Sequence, residues 1–257
     1  MSKTDIAVVT GGASGIGAGC CAALARQGRF VVVLDRDLPR AEQVAREIGG
    51  QAVFGDVGDE AGLTAVAAWI EEHIGPVVTL VNSAGVLQRP VSPAELSMED
   101  WDRVVHIDQR GTYLASKIFA VAMMTRRNGN IVNIASTTGS RSVPLHAYAP
   151  AKAAVISMTA CLAAEWGPSN IRVNCVSPGY TRTPALQAAI DKGERDVSVI
   201  LKNTAMGRIV ETDEVGKVVA FLASSEASAV TGINLTIDCG WTAASTWGTY
   251  GGLRQPG

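Results

Sequence analysis

Residues 6–17 are Ile6-Ala7-Val8-Val9-Thr10-Gly11-Gly12-Ala13-Ser14-Gly15-Ile16-Gly17, and this stretch decides the fold of the chain. Its first half is a short apolar run rich in β-branched residues, which predicts a buried strand. A glycine-rich turn follows, and the Ala-rich segment from Ile16 to Gln27 predicts a helix. Strand, turn and helix in this order form an anion site, because backbone N–H groups and the positive end of the helix dipole face outward there.

The turn glycines follow the spacing Gly-x-x-x-Gly-x-Gly at Gly11, Gly15 and Gly17, and without Cβ atoms they let a pyrophosphate approach the backbone. Taken alone, the cluster fits an ordinary tight strand–helix connection equally well. A second predicted strand, Phe30 to Leu34, runs into Asp35, 20 residues after Gly15. An acid at that offset is expected to bind a ribose diol, so the context favours a dinucleotide site.

Composition excludes several classes of function. The chain has 257 residues, 47% of them hydrophobic, and a formal charge of −2 with no basic block, which argues against a nucleic-acid partner. No apolar run reaches the roughly 18 residues of a membrane span. The first predicted strand follows Met1 too closely for a signal peptide, so we expect a cytoplasmic protein. Its five cysteines show no metal or redox spacing, and four lie in predicted helices or strands, where Cys is usually a small buried side chain; we expect a reducing compartment and no metal site.

Predicted strands and helices alternate along the chain. The predicted strands after Asp35 are 52–54, 79–82, 130–134, 172–176 and 234–238, and the predicted helices are 39–48, 60–74, 97–127, 148–166 and 213–223, with a polar irregular stretch at 177–208. Such alternation predicts a doubly wound α/β fold, with about seven parallel strands and helices on both faces. We find no linker or repeat, so residues 1–257 are expected to form one Rossmann-like domain.

Five motifs occur in register along the chain. They are Thr10-Gly-Gly-Ala-Ser-Gly15-Ile-Gly17, Asn82-Ser-Ala-Gly85, Ser136, Tyr148-Ala-Pro-Ala-Lys152 and Ser177-Pro-Gly-Tyr-Thr-Arg-Thr183. In this order and at these separations they resemble the short-chain dehydrogenase/reductase family over about residues 5 to 240. The resemblance implies a Rossmann-fold oxidoreductase that uses a nicotinamide cofactor and assembles as a homotetramer.

The chemistry of the residues agrees with that resemblance. Tyr148 and Lys152 are four positions apart and share one helix face, where the ammonium lowers the pKa of the phenol. Tyr148 then serves as general base toward an alcohol or as acid toward a carbonyl. Ser136, 12 residues earlier, holds the reacting oxygen beside it. Individually these residues also fit a surface pair and a strand-end serine, but combined with the glycine turn they predict a catalytic set.

By resemblance, residues of four of the five motifs, and four residues outside them, contact the cofactor. The implied cofactor-binding residues are Gly11, Ser14, Gly15, Ile16, Gly17, Asp35, Arg36, Asp56, Val57, Asn82, Ala84, Gly85, Tyr148, Lys152, Pro178, Gly179, Thr181 and Thr183. Asp35 repels a 2′-phosphate and favours NAD over NADP, whereas Arg36 favours the phosphate. Ser14 stands where NADP-preferring relatives carry a basic residue, so NAD is the expected cofactor. Asp56 alternatively fits a solvated loop acid, and Thr183 a turn cap.

One position departs from the family pattern. Relatives commonly have an asparagine four residues before the Thr of a Gly-Thr pair, where it supports a proton relay to the lysine; here that residue is Asp108, four before Thr112. An ionised carboxylate donates no hydrogen bond and raises the pKa of Lys152, which partly cancels the effect of the lysine on Tyr148. We therefore expect a working relay with an altered pH profile. A structural helix acid is the alternative.

The substrate is the least determined feature. By resemblance a lid at about 184–207 closes the pocket of a small-molecule substrate, whose candidate contacts are Arg141, His146, Tyr180 and Leu186. A sugar, polyol or small cyclic alcohol fits the expected reaction. The chain continues past Gly240 with three aromatic residues in a tail at 241–257, which we expect to pack against a neighbouring subunit. A non-catalytic dinucleotide sensor on the same fold is the alternative function.

Overall fold

A computed structural model of the chain describes residues 5–254, and its central feature is one parallel sheet. The strands are β1 (Ile6–Thr10), β2 (Phe30–Asp35), β3 (Gln51–Phe54), β4 (Val77–Asn82), β5 (Gly129–Ile134), β6 (Ile171–Pro178), β7 (Thr181–Arg182), β8 (Val210–Glu211) and β9 (Asn234–Ile237). Seven of them form a parallel sheet in the order β3-β2-β1-β4-β5-β6-β9. The predicted doubly wound fold is confirmed.

Helices cover both faces of this sheet. They are α1 (Gly15–Arg26), α2 (Leu38–Ile48), α3 (Glu60–His73), α4 (Met98–Val104), α5 (Thr112–Arg126), α6 (Tyr148–Trp166), α7 (Pro184–Asp191), α8 (Ser198–Lys202), α9 (Thr212–Ala223) and α10 (Trp241–Ala244). Alternate residues of each strand point to opposite faces, so the sheet supplies two cores. Ala7 and Val9 of β1 pack with α1, α2 and α9, whereas Ile6 and Val8 pack with α3, α5 and α6.

The long helix predicted at 97–127 is present but is not uniform. Ser97 caps it by accepting a hydrogen bond from the Asp100 N–H at 3.1 Å. Between α4 and α5 the backbone is a π-helix from Val105 to Gly111, which the sequence pattern did not predict. A π-helical segment adds a residue to the turn and re-aims side chains, and it is frequent at functional sites. Asp108 lies within it.

The stretch 177–208 is more ordered than predicted. It contains the end of β6, the two-residue strand β7 and the short helices α7 and α8. β7 pairs with β8 through Thr181–Val210 and Arg182–Glu211, so the two ends of the segment are joined. The prediction of an irregular segment is wrong for α7 and α8. In α7, the Thr183 cap and Pro184 in the first helical position favour a helix start.

The described residues carry no membrane-spanning helix and no disulfide. Among residues 5–254, no helix is both long and apolar enough to cross a bilayer. All five cysteines are free; Cys20, Cys21 and Cys175 are buried, Cys239 is half-buried, and Cys161 is exposed, so the prediction of burial is wrong for Cys161. Burial raises the pKa of Cys20 to about 12 and that of Cys175 to about 11, so both remain neutral thiols that pack as small apolar side chains.

Candidate active site

The glycine turn after β1 packs directly on the segment that follows β4. Gly11 has a φ of +64°, and a Cβ atom there would lie 2.6 Å from the Cα atom of Ala84. A Cβ atom on Gly17 would lie 2.0 Å from the carbonyl oxygen of Gly11. Neither position accepts a side chain, so the backbone itself forms the surface of the turn. The predicted cofactor residues Gly11, Gly17 and Ala84 are thus brought together.

The start of α1 is open to a ligand. Ser14 is the N-cap residue, but its side chain makes no capping hydrogen bond to the first-turn N–H groups. A cavity of about 210 Å³ lies between this turn and α2, lined by Ala13, Ser14, Gly15, Ala18, Arg40, Gln43, Val44, Glu47 and Pro184. Uncapped N–H groups at a helix start favour an anion. The residues present therefore fit the pyrophosphate of a dinucleotide.

Asp35 ends β2 beside that turn. One carboxylate oxygen accepts the Ala13 N–H at 3.0 Å and the other accepts the Asp37 N–H at 3.0 Å. The side chain of the next residue, Arg36, forms an ion pair with Asp56 at 3.5 Å on the surface. Asp35 thus ties the glycine turn to the sheet while staying half exposed, and each of its oxygens keeps a second lone pair for a ligand.

The other predicted adenosine-side residues are half-buried or buried. Asp56 also accepts the Gly58 N–H at 2.8 Å, and Val57 is buried under Gly111. Asn82 is buried, and its amide donates to Ser116 Oγ and to Asn133 Oδ1, both at 2.8 Å. The side chain of Asn82 therefore braces the sheet against α5 instead of facing solvent.

The predicted catalytic residues converge at the carboxyl ends of β5 and β6 and the start of α6. Tyr148 is the first residue of α6, and Lys152, one turn later, places Nζ 5.4 Å from the centroid of the Tyr148 ring. Ser136 follows β5, is 9% exposed, and accepts the Thr138 N–H at 3.2 Å. Lys152 Nζ also donates to the Ile134 carbonyl at 3.1 Å, which anchors it to the end of β5.

The net effect of these surroundings on the Tyr148 phenol differs from the prediction. Burial raises the pKa of Tyr148 and Asp108 raises it further, whereas Lys152 and a hydrogen bond with Ser136 lower it. The lowering by Lys152 is present as predicted, but burial outweighs it and the pKa is above its ordinary value. A positive charge brought close to the Tyr148 ring would lower this pKa.

Asp108 forms a buried ion pair with Lys152. Its carboxylate is fully buried, with Oδ2 3.1 Å from Lys152 Nζ and Oδ1 accepting the Val86 N–H at 2.8 Å. Burial lowers the pKa of Lys152, but the charges of Tyr148 and Asp108 raise it more, so the net pKa is above the usual value. Asp108 therefore raises the pKa of both Lys152 and Tyr148, in the directions predicted from the sequence. Its backbone carbonyl accepts a hydrogen bond from Thr112 Oγ1 at 2.8 Å.

Gln88 is a residue of this cluster that the sequence did not indicate. Its side chain is 3% exposed, and Oε1 accepts the N–H groups of Ala147 at 2.7 Å and Tyr148 at 3.3 Å. Gln88 lies three residues after the Asn82-Ser-Ala-Gly85 motif and about 60 residues before its partners, so no local pattern connects them. Its position three residues after a motif that is predicted to contact the cofactor is the one signal that the sequence offers.

The Pro-Gly motif lies opposite the glycine turn. Pro178 ends β6, Gly179 follows it, and Thr181 Oγ1 donates to the Gly179 carbonyl at 3.0 Å. Thr183 caps α7 by accepting the Leu186 N–H at 3.2 Å, as its alternative interpretation predicted. A Cβ atom on Gly15 would also lie 3.3 Å from Thr183 Cγ2, so the same threonine borders the turn.

The four candidate substrate contacts are less closely associated with Tyr148 than the predicted catalytic residues are. Tyr180 meets Trp241 edge to face, with ring centroids 5.8 Å apart, and Leu186 is half-buried in the first turn of α7. Arg141 is exposed and His146 is half-buried just before α6. No hydrogen bond or ion pair joins Arg141 or His146 to Tyr148 within residues 5–254. Trp241 brings the start of the tail into this region, which the sequence analysis did not anticipate.

Two further features lie apart from the cluster. A second cavity of about 380 Å³ lies between α3 and α5 and contains none of the motif residues. In the part of the chain that the structure describes, no group of three or more His, Cys, Asp or Glu side chains is arranged to hold a metal ion.

Comparison with known proteins places this geometry among dehydrogenases. A family model described as enoyl-(acyl carrier protein) reductase matches residues 11–242. The chain is 37% identical over 243 residues to a galactitol 2-dehydrogenase of Rhizobium johnstonii, covering 92% of this chain and 94% of the relative. It is 36% identical to a D-threitol dehydrogenase of Mycolicibacterium smegmatis, with 92% of each chain covered.

Solved structures agree in fold and differ in their descriptions. One described as ribose-5-phosphate isomerase from Brucella melitensis superposes with a TM-score of 0.95 at 50% identity, covering 98% of each chain. Another, described as ElxO with NADP bound, gives a TM-score of 0.87 at 28% identity and covers 94% of this chain and 99% of its own.

Proposed function

This chain belongs to the short-chain dehydrogenase/reductase family, and on that premise we propose that it transfers a hydride between NAD and a secondary alcohol or its ketone. The observation that carries the proposal is the cluster of Tyr148, Lys152 and Ser136 beside a glycine turn with an uncapped helix start. A protein that only binds the nucleotide needs the turn but has no use for a half-buried phenol next to a buried lysine and a buried serine.

In the oxidative direction, the chain supplies the base and the substrate orientation. The Ser136 hydroxyl donates to the alcohol oxygen. The Tyr148 phenolate takes the hydroxyl proton of the alcohol while the C–H bond of the alcohol carbon breaks. NAD, when bound, supplies the hydride acceptor. Lys152 holds its charge next to the phenol and lowers the pKa that burial and Asp108 raise. Reduction of the ketone runs the same proton transfer in reverse.

NAD is the cofactor that the adenosine side favours. A 2′-phosphate would meet the carboxylate of Asp35, which two backbone N–H groups hold in place. Arg36 is exposed and forms an ion pair with Asp56. Solvent and salt screen its charge, and Asp56 partly neutralises it, so its attraction for a phosphate is weakened. The NADP in the ElxO structure belongs to that protein, and NADP remains the second choice here.

Polyols are the substrate class we propose, from the two relatives named for galactitol and D-threitol. Residues 184–207 are proposed as the lid over the substrate, since the β7–β8 pair joins both ends of that segment beside the Pro-Gly motif. We further propose assembly as a homotetramer, which light scattering coupled to size exclusion measures directly.

The test is a screen of secondary alcohols, including galactitol and D-threitol, with NAD⁺ and with NADP⁺, for the parent and Tyr148→Phe. We expect NAD⁺ reduction by the parent and a loss of about 10²–10⁴ in kcat for the variant, with nucleotide binding kept. If the parent binds NAD but oxidises none of the alcohols, and the variant behaves identically, the sensor function is correct instead.

An isomerase activity is the second candidate, raised by the description of the Brucella melitensis structure. Interconversion of an aldose and a ketose moves hydrogen within one molecule and leaves no net change in a nucleotide. Incubating ribose 5-phosphate with the nucleotide-free protein and assaying for the ketose decides between the two. We expect no conversion by the parent above that by Tyr148→Phe.

A further inference from the structure

Gln88 reaches across the site from the loop after β4 to the helix that carries Tyr148. Its Oε1 atom accepts two N–H groups, those of Ala147 at 2.7 Å and Tyr148 at 3.3 Å. The residue is 3% exposed, so these bonds form away from solvent. A single side-chain oxygen thus holds the backbone from which the phenol projects.

Within residues 5–254, Gln88 Oε1 is the acceptor of both N–H groups, and no second acceptor for them is found. The N-cap residue is Ala147, whose side chain has no acceptor. The N–H of Ala149 donates to the Leu145 carbonyl and that of Ala151 to the Ala147 carbonyl, while Pro150 has no N–H. Gln88 therefore completes the hydrogen bonding of this turn, and it does so at the catalytic residue.

The Nε2 atom of Gln88 indicates that the glutamine is present for its acceptor oxygen, Oε1. Nε2 is buried, and no hydrogen-bond partner for it lies within residues 5–254. An unsatisfied buried donor destabilises a protein, so an apolar residue would be preferred here if filling space were the only need. The two hydrogen bonds that Oε1 accepts explain why a glutamine is present here although its Nε2 is unpaired.

We propose that Gln88 is a positioning residue for Tyr148, fixing the start of α6 so that the phenol meets the reacting oxygen. The same short loop donates the Val86 N–H to Asp108, which holds Lys152. Residues 86–88 thus set the position of both members of the acid–base pair from one element. The inference rests on the proposed role of Tyr148 in hydride transfer.

The test compares Gln88→Met, which keeps the length and loses the acceptor, with Gln88→Glu, which keeps an acceptor oxygen. Gln27→Met, on the exposed end of α1, is the control for the chemical change alone. We expect kcat of Gln88→Met to fall about 10²-fold while the KM for NAD stays constant, since a small misplacement of a reacting group costs that much. We expect Gln88→Glu to recover at least about tenfold of this loss, because a carboxylate accepts N–H bonds at a helix start.

A role in folding alone predicts that both variants lose thermal stability and that kcat per folded molecule stays constant. A Gln88→Met enzyme with the parent kcat, or a Gln88→Glu enzyme as slow as Gln88→Met, overturns the proposal. If Gln88→Met does not fold, Gln88→Asn withdraws the acceptor by one methylene and replaces it in the comparison.

Hydrogen exchange separates this proposal from the proposed function. We expect the amides of Ala147 and Tyr148 to exchange faster in Gln88→Met than in the parent, whatever the substrate. Unchanged protection of both amides overturns the positioning role. If the parent oxidises no alcohol while these amides still lose protection, the proposed reaction fails and the contact itself stands.

Discussion

Asp35 and Asp108 are carboxylates in two halves of one site, and their surroundings are opposite. Asp35 is half exposed and its oxygens are held by two backbone N–H groups. Asp108 is fully buried and faces the ammonium of Lys152 at 3.1 Å. A partly solvated carboxylate acts mainly on an incoming ligand, whereas a buried one acts on the protonation of its neighbours. Under the proposed function, we expect Asp35 to act on nucleotide selection and Asp108 on proton transfer.

Removing the lysine from the buried Asp108–Lys152 ion pair gives the largest expected effect. Lys152→Met leaves the Asp108 carboxylate buried without its cation, and removing one partner of such a pair lowers the free energy of unfolding by about 3–5 kcal/mol. It also removes the charge that lowers the pKa of Tyr148, so kcat falls by about 10² or more. Denaturant unfolding and steady-state kinetics measure the two losses.

The double variant Lys152→Met/Asp108→Asn is the matched control. It removes both charges, so much of the lost stability returns while the activity does not. A single variant as stable as the parent contradicts the buried pair, and a double variant with restored kcat contradicts the role of the lysine.

Changing the carboxylate alone gives a smaller effect, and one that depends on pH. In Asp108→Asn the charge that raises the pKa of Tyr148 is absent, so the pKa of the phenol falls. Alcohol oxidation needs the phenolate, and the acidic limb of the kcat profile therefore moves to lower pH. Stability falls by about 1–3 kcal/mol, because the single amide oxygen of asparagine can face either the Val86 N–H or Lys152 Nζ, and the other donor loses its acceptor.

The profile of kcat against pH, measured for the parent and Asp108→Asn over the same buffers, checks this expectation. Overlaying curves show that Asp108 is a structural acid with no influence on proton transfer. A move of the acidic limb to higher pH contradicts the sign of the charge effect.

These halves also differ in how far the sequence predicts them. The strand–turn–helix of residues 6–27 and the acid at its expected offset are local patterns, and the structure has both. The pairing of Tyr148 with Lys152 follows from helical spacing, which is equally local. Burial is not local: the net rise in the pKa of Tyr148 comes from the elements that enclose it. The sequence therefore predicts the signs of the Lys152 and Asp108 contributions, but not the sign of the sum.

Long-range contacts and backbone irregularities were missed for the same reason. Gln88 meets α6 about 60 residues further along the chain, and nothing in its own segment marks that contact. The π-helix around Asp108 interrupts a pattern that otherwise predicts one continuous helix. The short helices α7 and α8 lie in a segment whose polar residues predict irregular structure.

Substitution of Asp35, the half-exposed carboxylate, is expected to shift the choice between NAD and NADP with little effect on kcat. Asp35→Asn removes the charge that opposes a 2′-phosphate, so the ratio of kcat/KM for NADP to that for NAD rises about 10–100-fold, equivalent to about 1.4–2.8 kcal/mol. Kinetics with both nucleotides at fixed substrate measure the ratio.

Arg36→Ser serves as the opposing variant, since it removes the cation that attracts the phosphate and lowers the same ratio. Thermal unfolding accompanies both variants, because Asp35 also holds the glycine turn through the Ala13 N–H. A ratio that stays constant in Asp35→Asn contradicts the assignment of Asp35 to nucleotide selection.

The smallest expected effect concerns the tail, whose predicted span 241–257 includes residues 255–257, outside the described part of the chain. Trp241 packs on Tyr180 and Ala244 is buried, but Trp247 is 48% exposed and Tyr250 is 90% exposed. Large aromatic side chains left in water favour contact with another surface, and we expect that surface to be a neighbouring subunit. Trp247→Ser/Tyr250→Ser leaves the buried Ala244 in place, so a weaker assembly or a few-fold higher substrate KM isolates the contact. Light scattering and substrate titration measure both quantities, and a double variant with unchanged assembly and KM contradicts the expectation.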